Sequence, residues 1–208
     1  MAQNPIAKEV GDFNEVKVYD LIEVNLIKSD NNKVVIAGDD VDDVEVINKD
    51  GKLKIRMAFE KTFNGDKTFV AVHYKNIDII DGNEGARITS NELMEQDEII
   101  LKTQEGARIV AGLNVKKADI RAVTGGIIET HGKAYSQEIT INTGGVYEGK
   151  DFLTKITKIT IRAAGEAEVN ASDLVDAKMR AGGEIIIYGK PNSVKEDRMF
   201  GGRIKRMN

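Results

Sequence analysis

The sequence predicts an all-β chain wound as a right-handed parallel β-solenoid, a β-helix of about 20 residues per coil. Three observations predict it. A pair of small residues recurs at Gly85-Ala86, Gly106-Ala107, Gly125-Gly126, Gly144-Gly145, Ala164-Gly165 and Gly182-Gly183, at spacings of 21, 19, 19, 20 and 18 residues. Apolar residues align around each pair without gaps. Five positions before it stand Ile80, Leu101, Ile120, Ile139, Ile159 and Ala177; three after it stand Ile88, Ile109, Ile128, Tyr147, Ala167 and Ile185. Finally, the only two prolines, Pro5 and Pro191, bracket the patterned region. No residue between them lacks the N–H that a central strand must donate.

The elements follow in order. Residues 1–10 read as an N-terminal arm. Residues 11–76 read as a strand-rich section that caps the solenoid, with period-2 runs around Val16-Val18, Val24-Leu26, Val34-Ile36, Leu53-Ile55 and Phe69-Val72. Asp50-Gly51 between two such runs is a hairpin signal, and Asp30-Asn31-Asn32 and Asn64-Gly65-Asp66 are turns. Residues 77–191 hold the regular coils. Each has one strand before the small pair, one after it, and a third apolar segment such as Leu113-Asn114-Val115. Side chains five and three before each pair share a face, so equivalent residues of successive coils stack about 4.8 Å apart in one interior. Residues 192–208, with the basic Arg203-Ile204-Lys205-Arg206, read as a C-terminal tail.

Composition excludes several function classes. The 208 residues carry 30 Lys and Arg against 34 Asp and Glu, a net charge of −4 that gives no general attraction to nucleic acid. With no cysteine there is no thiolate catalysis and no cysteine zinc site. No run of 18 apolar residues predicts a membrane span. Neither a P-loop, a Rossmann fingerprint nor a Gly-x-Ser-x-Gly elbow occurs. The start Met1-Ala2-Gln3-Asn4-Pro5 reads as an initiator Met ahead of a chain whose export signal has been removed.

Gly11-Asp12-Phe13-Asn14-Glu15-Val16, Ile22-Glu23-Val24-Asn25-Leu26, Gly51-Lys52-Leu53-Lys54-Ile55, Ile187-Tyr188-Gly189-Lys190-Pro191 and Gly201-Gly202-Arg203-Ile204 together resemble the auto-transporter adhesin head domain of GIN type, a family of unknown function common in Bacteroidetes. The resemblance runs over nearly the whole chain. It implies a β-solenoid, export, and residence in the periplasm or at the cell surface. The family brings no catalytic residues and no cofactor.

The outward columns supply the candidate site. Four positions before the small pair stand Asp81, Lys102, Arg121, Thr140, Thr160 and Lys178; two before it stand Asn83, Gln104, Val123, Asn142, Arg162 and Arg180. Lys102, Arg121, Arg162, Lys178 and Arg180, with Gln104 and Asn142, are therefore expected on one exposed sheet face able to meet a carboxylated glycan or another acidic polymer. The same columns also serve simply to keep a solenoid face soluble. Glu84 over Glu105 and Arg87 over Arg108 stack like charges on adjacent coils. The acidic stretch at residues 39–43 offers carboxylates to calcium but lacks the spacing of a known calcium loop, and a solvated turn explains it. His73 in a strand and His131 in a turn lack convergent ligands, so no metal site is expected.

The sequence accordingly supports an exported, non-enzymatic envelope protein, adhesin-like, whose partner is a glycan or a surface protein. Two alternatives remain at this level. One is a polysaccharide-acting lyase or hydrolase built on a β-helix; the other is a structural envelope component that self-associates through its ends.

Overall fold

Alternating apolar and polar side chains make the chain almost wholly strand, and parallel stacking closes the strands into a solenoid of about 7 turns with about 19 residues per turn. The structure, a computed structural model, describes residues 4–207; Ala2 and Gln3, where the sequence suggests processing, lie outside the described residues. Eight short strands come first: β1 (Ile6–Glu9), β2 (Glu15–Val18), β3 (Glu23–Lys28), β4 (Lys33–Gly38), β5 (Val44–Lys49), β6 (Lys52–Met57), β7 (Thr68–Tyr74) and β8 (Ile79–Gly82). Five long strands wrap the tube: β9 (Arg87–Thr103), β10 (Arg108–Val123), β11 (Ile127–Asn142), β12 (Val146–Ile161) and β13 (Glu166–Ala181). The chain finishes with β14 (Glu184–Tyr188), β15 (Ser193–Phe200) and β16 (Arg203–Arg206).

The predicted columns exist. Ile80 pairs with Leu101, Leu101 with Ile120, Ile120 with Ile139, Ile139 with Ile159 and Ile159 with Ala177, all in parallel register. These side chains are buried, and each large aliphatic one contributes about 1.5–3 kcal/mol by leaving water. On the ladder after each corner, Ile88, Ile109, Ile128, Tyr147, Ala167, Ile185 and Ile204 stack in the same way. The third segments form their own ladder, in which Met94, Leu113 and Gly132 are successive neighbours.

The corners are tight turns. Ala107 N–H donates to Gln104 O at 3.1 Å and Gly126 N–H to Val123 O at 2.9 Å. Both central residues have positive φ, 54° and 73° at Glu105-Gly106 and 49° and 72° at Thr124-Gly125, as in type I′ turns. The first small residue is therefore Gly for its backbone. The second is small for packing: an ideal Cβ on Gly126 would stand 2.7 Å from the Thr103 carbonyl carbon of the preceding coil.

One stretch of the interior is polar. The Tyr147 hydroxyl donates to Gln137 Oε1 at 2.7 Å and lies 2.8 Å from Thr130 Oγ1, while Gln137 Nε2 donates to Thr157 Oγ1 at 2.9 Å. Thr154 and Thr157 share a further bond of 2.8 Å. All five side chains are buried, and burial pushes the Tyr147 phenol well above its ordinary range. Gly149 makes room for the ring, because a Cβ there would collide with it.

The N-terminal strands are interleaved with later ones. β2 lies between β6 and β8, and β3 between β7 and β9, all parallel. The first strands thus form a second layer, while β6 and β7, later in sequence, form the layer outside them. β5 pairs antiparallel with β6, β4 with β7, and β1 with β4. These antiparallel strands close that end of the tube and turn its edge away from parallel stacking. Asp50-Gly51 makes the β5–β6 hairpin as its sequence indicates, with φ of 53° and 75°.

Residues 192–208 differ from the expected tail. β15 pairs parallel with β13 and β16 with β14, adding a further coil. Several of its interior positions are charged, while Val194 and Ile204 continue their columns as apolar residues. Glu196 follows Ala177 in the aliphatic column, Arg198 follows Met179, and Arg206 follows Ile187. Arg206 Nη2 reaches Glu196 Oε1 at 2.6 Å. Two of the apolar columns therefore end in an ion pair at the mouth of the tube, beside two that end in Val194 and Ile204.

Candidate binding surface

The tube presents three lateral faces, and each was built by the outward half of the β alternation. On the ladder before the corners, Lys17, Asp81, Lys102 and Arg121 are consecutive neighbours, followed by Thr140, Thr160, Lys178 and Asp197. The adjoining outward column carries Asp119, Glu138, Lys158 and Asp176. The expected basic face is thus a mixed one. Lys178 lies 3.7 Å from Asp176, and Arg180 lies 3.0 Å from Asp197. Both of these candidates are engaged at the surface. Lys102, Arg121 and Arg162 form no ion pair among the described residues. Burial, then the neighbouring Glu138, raises the Asp119 carboxyl, against the pull of Lys117, Lys102 and Arg121.

Gln104 and Asn142 occupy the first position of the corner turns, where their carbonyls accept from Ala107 and Gly145. Arg162 and Arg180 belong to the same corner column. The seven candidates therefore divide between a flat strip (Lys102, Arg121, Lys178) and the corner beside it.

On the next face Glu129, Glu148 and Glu168 are stacked neighbours. Arg108 Nη2 bridges the first two at 2.6 and 2.7 Å. This resolves the like-charge stack of Arg87 over Arg108, because the second guanidinium turns to carboxylates of later coils. Glu168 accepts from the Tyr188 hydroxyl at 3.0 Å, and Lys150 lies 5.1 Å above the Tyr188 ring. The Lys205 ammonium, with Arg203 beside it, holds the Glu184 carboxyl below its ordinary value. On the third face Asp97 pairs with Lys116 at 2.8 Å, and Lys155 lies 5.7 Å from the exposed Tyr135 ring.

His73 lies half-buried in β7, its pKa lowered by burial and by Lys33. His131 stands in strand β11, not in a turn, and its imidazole occupies the space over Gly112. The Gly132 beside it is a strand residue with positive φ, there because the Leu113 carbonyl of the preceding coil leaves no room for a side chain. The acidic stretch is a short 3-10 turn at Val41–Asp43, with Lys61 within 3.8 Å of Asp40 and 3.6 Å of Asp43. Among the described residues no group of three His, Asp or Glu side chains is placed to hold a metal ion. Among the same residues no helix is long and apolar enough to cross a membrane.

A family model, described as the putative auto-transporter adhesin, head GIN domain, matches residues 12–191. The chain belongs to that family. No curated protein matches it in sequence. Solved structures that resemble this GIN-domain chain include a putative adhesin from Bacteroides fragilis, with a TM-score of 0.90, 17% identity, and coverage of 100% of this chain and 97% of the other. A putative adhesin from Parabacteroides merdae has a TM-score of 0.77 at 18% identity, covering 99% and 96%. A putative lipid binding protein from Parabacteroides distasonis has a TM-score of 0.74 at 17% identity, covering 99% and 97%. At such identities the likeness to these structures establishes the shared fold, and function has to be argued from the GIN-domain surface itself.

Proposed function

We propose that this GIN-domain chain is an exported, non-enzymatic envelope protein that makes adhesive contacts through the lateral face carrying Lys102, Arg121 and Arg162, with an acidic glycan as its partner. The observation that carries this reading is the register that stacks Lys102 and Arg121 on adjacent coils of one lateral face, neither of them in an ion pair among the described residues. Antiparallel strands cover one end, and the Glu196–Arg206 pair lies across part of the other, beside the partly buried Val194 and Ile204. Charge at the second end works against stacking of another coil there, which favours the sides of the tube. Of the cations expected on that side, Lys102, Arg121 and Arg162 form no ion pair among the described residues, although the first two act on Asp119 through space, whereas Lys178 and Arg180 are paired within the chain. The Lys102 ammonium and Arg121 guanidinium stack on adjacent coils with Arg162 on the corner of a later one, an arrangement that suits a polymer carrying several carboxylates. The family name and the adhesin descriptions of its structural relatives point the same way.

A glycan-array screen, with parallel incubation on acidic polysaccharides, tests it. Binding without shortening of the polymer is expected, with loss of binding on Lys102→Glu, Arg121→Glu and Arg162→Glu together. Unchanged binding by the triple variant rejects this face. Chain shortening rejects the non-enzymatic reading.

A further inference from the structure

The regular coils have three ladders, but the third begins only with β9. Before it, the chain crosses that side in short turns: residues 12–14 ahead of β2, 29–32 after β3, Asp50-Gly51 ahead of β6, and 75–78 ahead of β8. Where the third ladder stops, a step is left in the side of the tube. The Gln96 amide of β9 donates to Ile77 O at 3.0 Å and marks the edge of that step. The step is a depression of about 630 Å³.

Its walls are side-chain amides and carboxylates held in place by one another. Asn14 Nδ2 donates to Asp78 Oδ2 at 3.0 Å. Asn32 Nδ2 donates to Asp12 Oδ1 at 3.0 Å, and Asn32 Oδ1 accepts from Lys75 N–H at 2.8 Å. The Lys75 ammonium lies 3.6 Å from Asp12 Oδ1. These bonds use both ends of the Asn32 amide but only one end of Asn14, Asp78 and Asp12. Asn14 Oδ1, Asp78 Oδ1, Asp12 Oδ2 and the whole Asn76 amide have no partner among the described residues. Gly51 keeps the floor low, since an ideal Cβ there would stand 3.2 Å from Asn14 Oδ1. Phe13, the aromatic residue of the lining, is buried.

We propose that this depression is a binding subsite for an uncharged sugar ring. Its chemistry selects that class. Asp12 and Asp78 oppose an anion, and the Lys75 ammonium opposes a cation. A ligand in this space has to donate to carboxylate and amide oxygens and accept from amide N–H groups at once, which ring hydroxyls do. The volume falls in the range of small-molecule pockets, about 300–1,000 Å³. The subsite is separate from Lys102, Arg121 and Arg162, and stands or falls independently of the acidic-glycan reading.

The test is titration of the ¹⁵N-labelled chain with a panel of neutral monosaccharides, followed by amide shifts, in the presence of a chelator. Saturable shifts at Asn14, Asn76 and Asp78 are expected, with dissociation constants of about 1–10 mM for a monosaccharide. Asn76→Ala removes no intramolecular bond, so it should melt as the unmodified chain does while losing about ten-fold in affinity, roughly 1.4 kcal/mol. Asn14→Ala should lose at least as much affinity, with a lower melting temperature because its bond to Asp78 goes as well. Lys102→Glu should leave these shifts unaltered. Absence of saturable shifts with every sugar overturns the proposal. So do shifts that Asn76→Ala leaves intact, and binding that appears only when calcium replaces the chelator.

Discussion

Replacing Tyr147 by Phe isolates the buried polar network, because it deletes one oxygen and keeps the ring. The hydroxyl makes two bonds, 2.7 Å to Gln137 Oε1 and 2.8 Å to Thr130 Oγ1. Thr130 has a hydroxyl that can rotate toward another acceptor. Gln137 Oε1 cannot recover a donor, since its amide nitrogen stays tied to Thr157 and water does not reach it. An orphaned buried acceptor costs about 1–3 kcal/mol. For a chain of this length each kcal/mol moves the melting temperature by about 2–4 °C, so a fall of roughly 2–12 °C is expected. Urea unfolding followed by circular dichroism measures the free energy, and thermal melts check the temperature shift. The triple variant Thr130→Val, Tyr147→Phe, Gln137→Leu removes donors and acceptors together, so it should recover much of the loss. Thr157 then still has Thr154. A Tyr147→Phe variant within about 0.5 kcal/mol of the unmodified chain would refute the reasoning, as would a triple variant worse than the single one.

Two further outcomes are expected. Burial, then the Asp20 carboxylate beside it, raises the Glu84 pKa above its reference of 4.5. The folded chain therefore binds a proton there more tightly than the unfolded one. Stability falls as pH climbs from about 4.5 through the folded-state value. Glu84→Gln should flatten that decline and raise the urea midpoint at neutral pH; an unchanged slope contradicts the assignment. At the other end of the tube, Glu196→Leu with Arg206→Leu extends the apolar columns to the open mouth. Sedimentation velocity should show a shift to higher mass than the unmodified chain, and no shift would mean that the ion pair does not guard the end.

The interior of the coils was readable because parallel, in-register stacking copies each position into the next repeat. Ile120, Ile139 and Ile159 say the same thing three times. The last coil was missed although Gly201-Gly202 follows Gly182-Gly183 by 19 residues. Charged residues at its interior positions, Glu196 and Arg198, erase the apolar signature that identifies the others. The layer order at the N-terminus was illegible for a different reason. Nothing in β2 states that β6, rather than β8 alone, will lie beside it, since that choice is made by pairing over tens of residues. The candidate site was half legible. The columns holding Lys102 and Arg121 were placed correctly, but the carboxylates that occupy Lys178 and Arg180 come from an adjoining column and the final coil. The polar depression has no motif. It arises where one ladder is missing, and absence of a strand leaves no pattern of its own.

The interleaved N-terminal strands have a mechanical consequence. A load applied through the N-terminus first meets the edge strand β1, but beyond it the chain cannot be peeled as an outermost ribbon, since β2 and β3 each run between two parallel neighbours. Such a load has to shear ladders on both sides together, and resistance to pulling is governed by the height of that unfolding barrier. A tether at this end would hold against shear at β2 and β3, where an ordinary solenoid would begin to unravel.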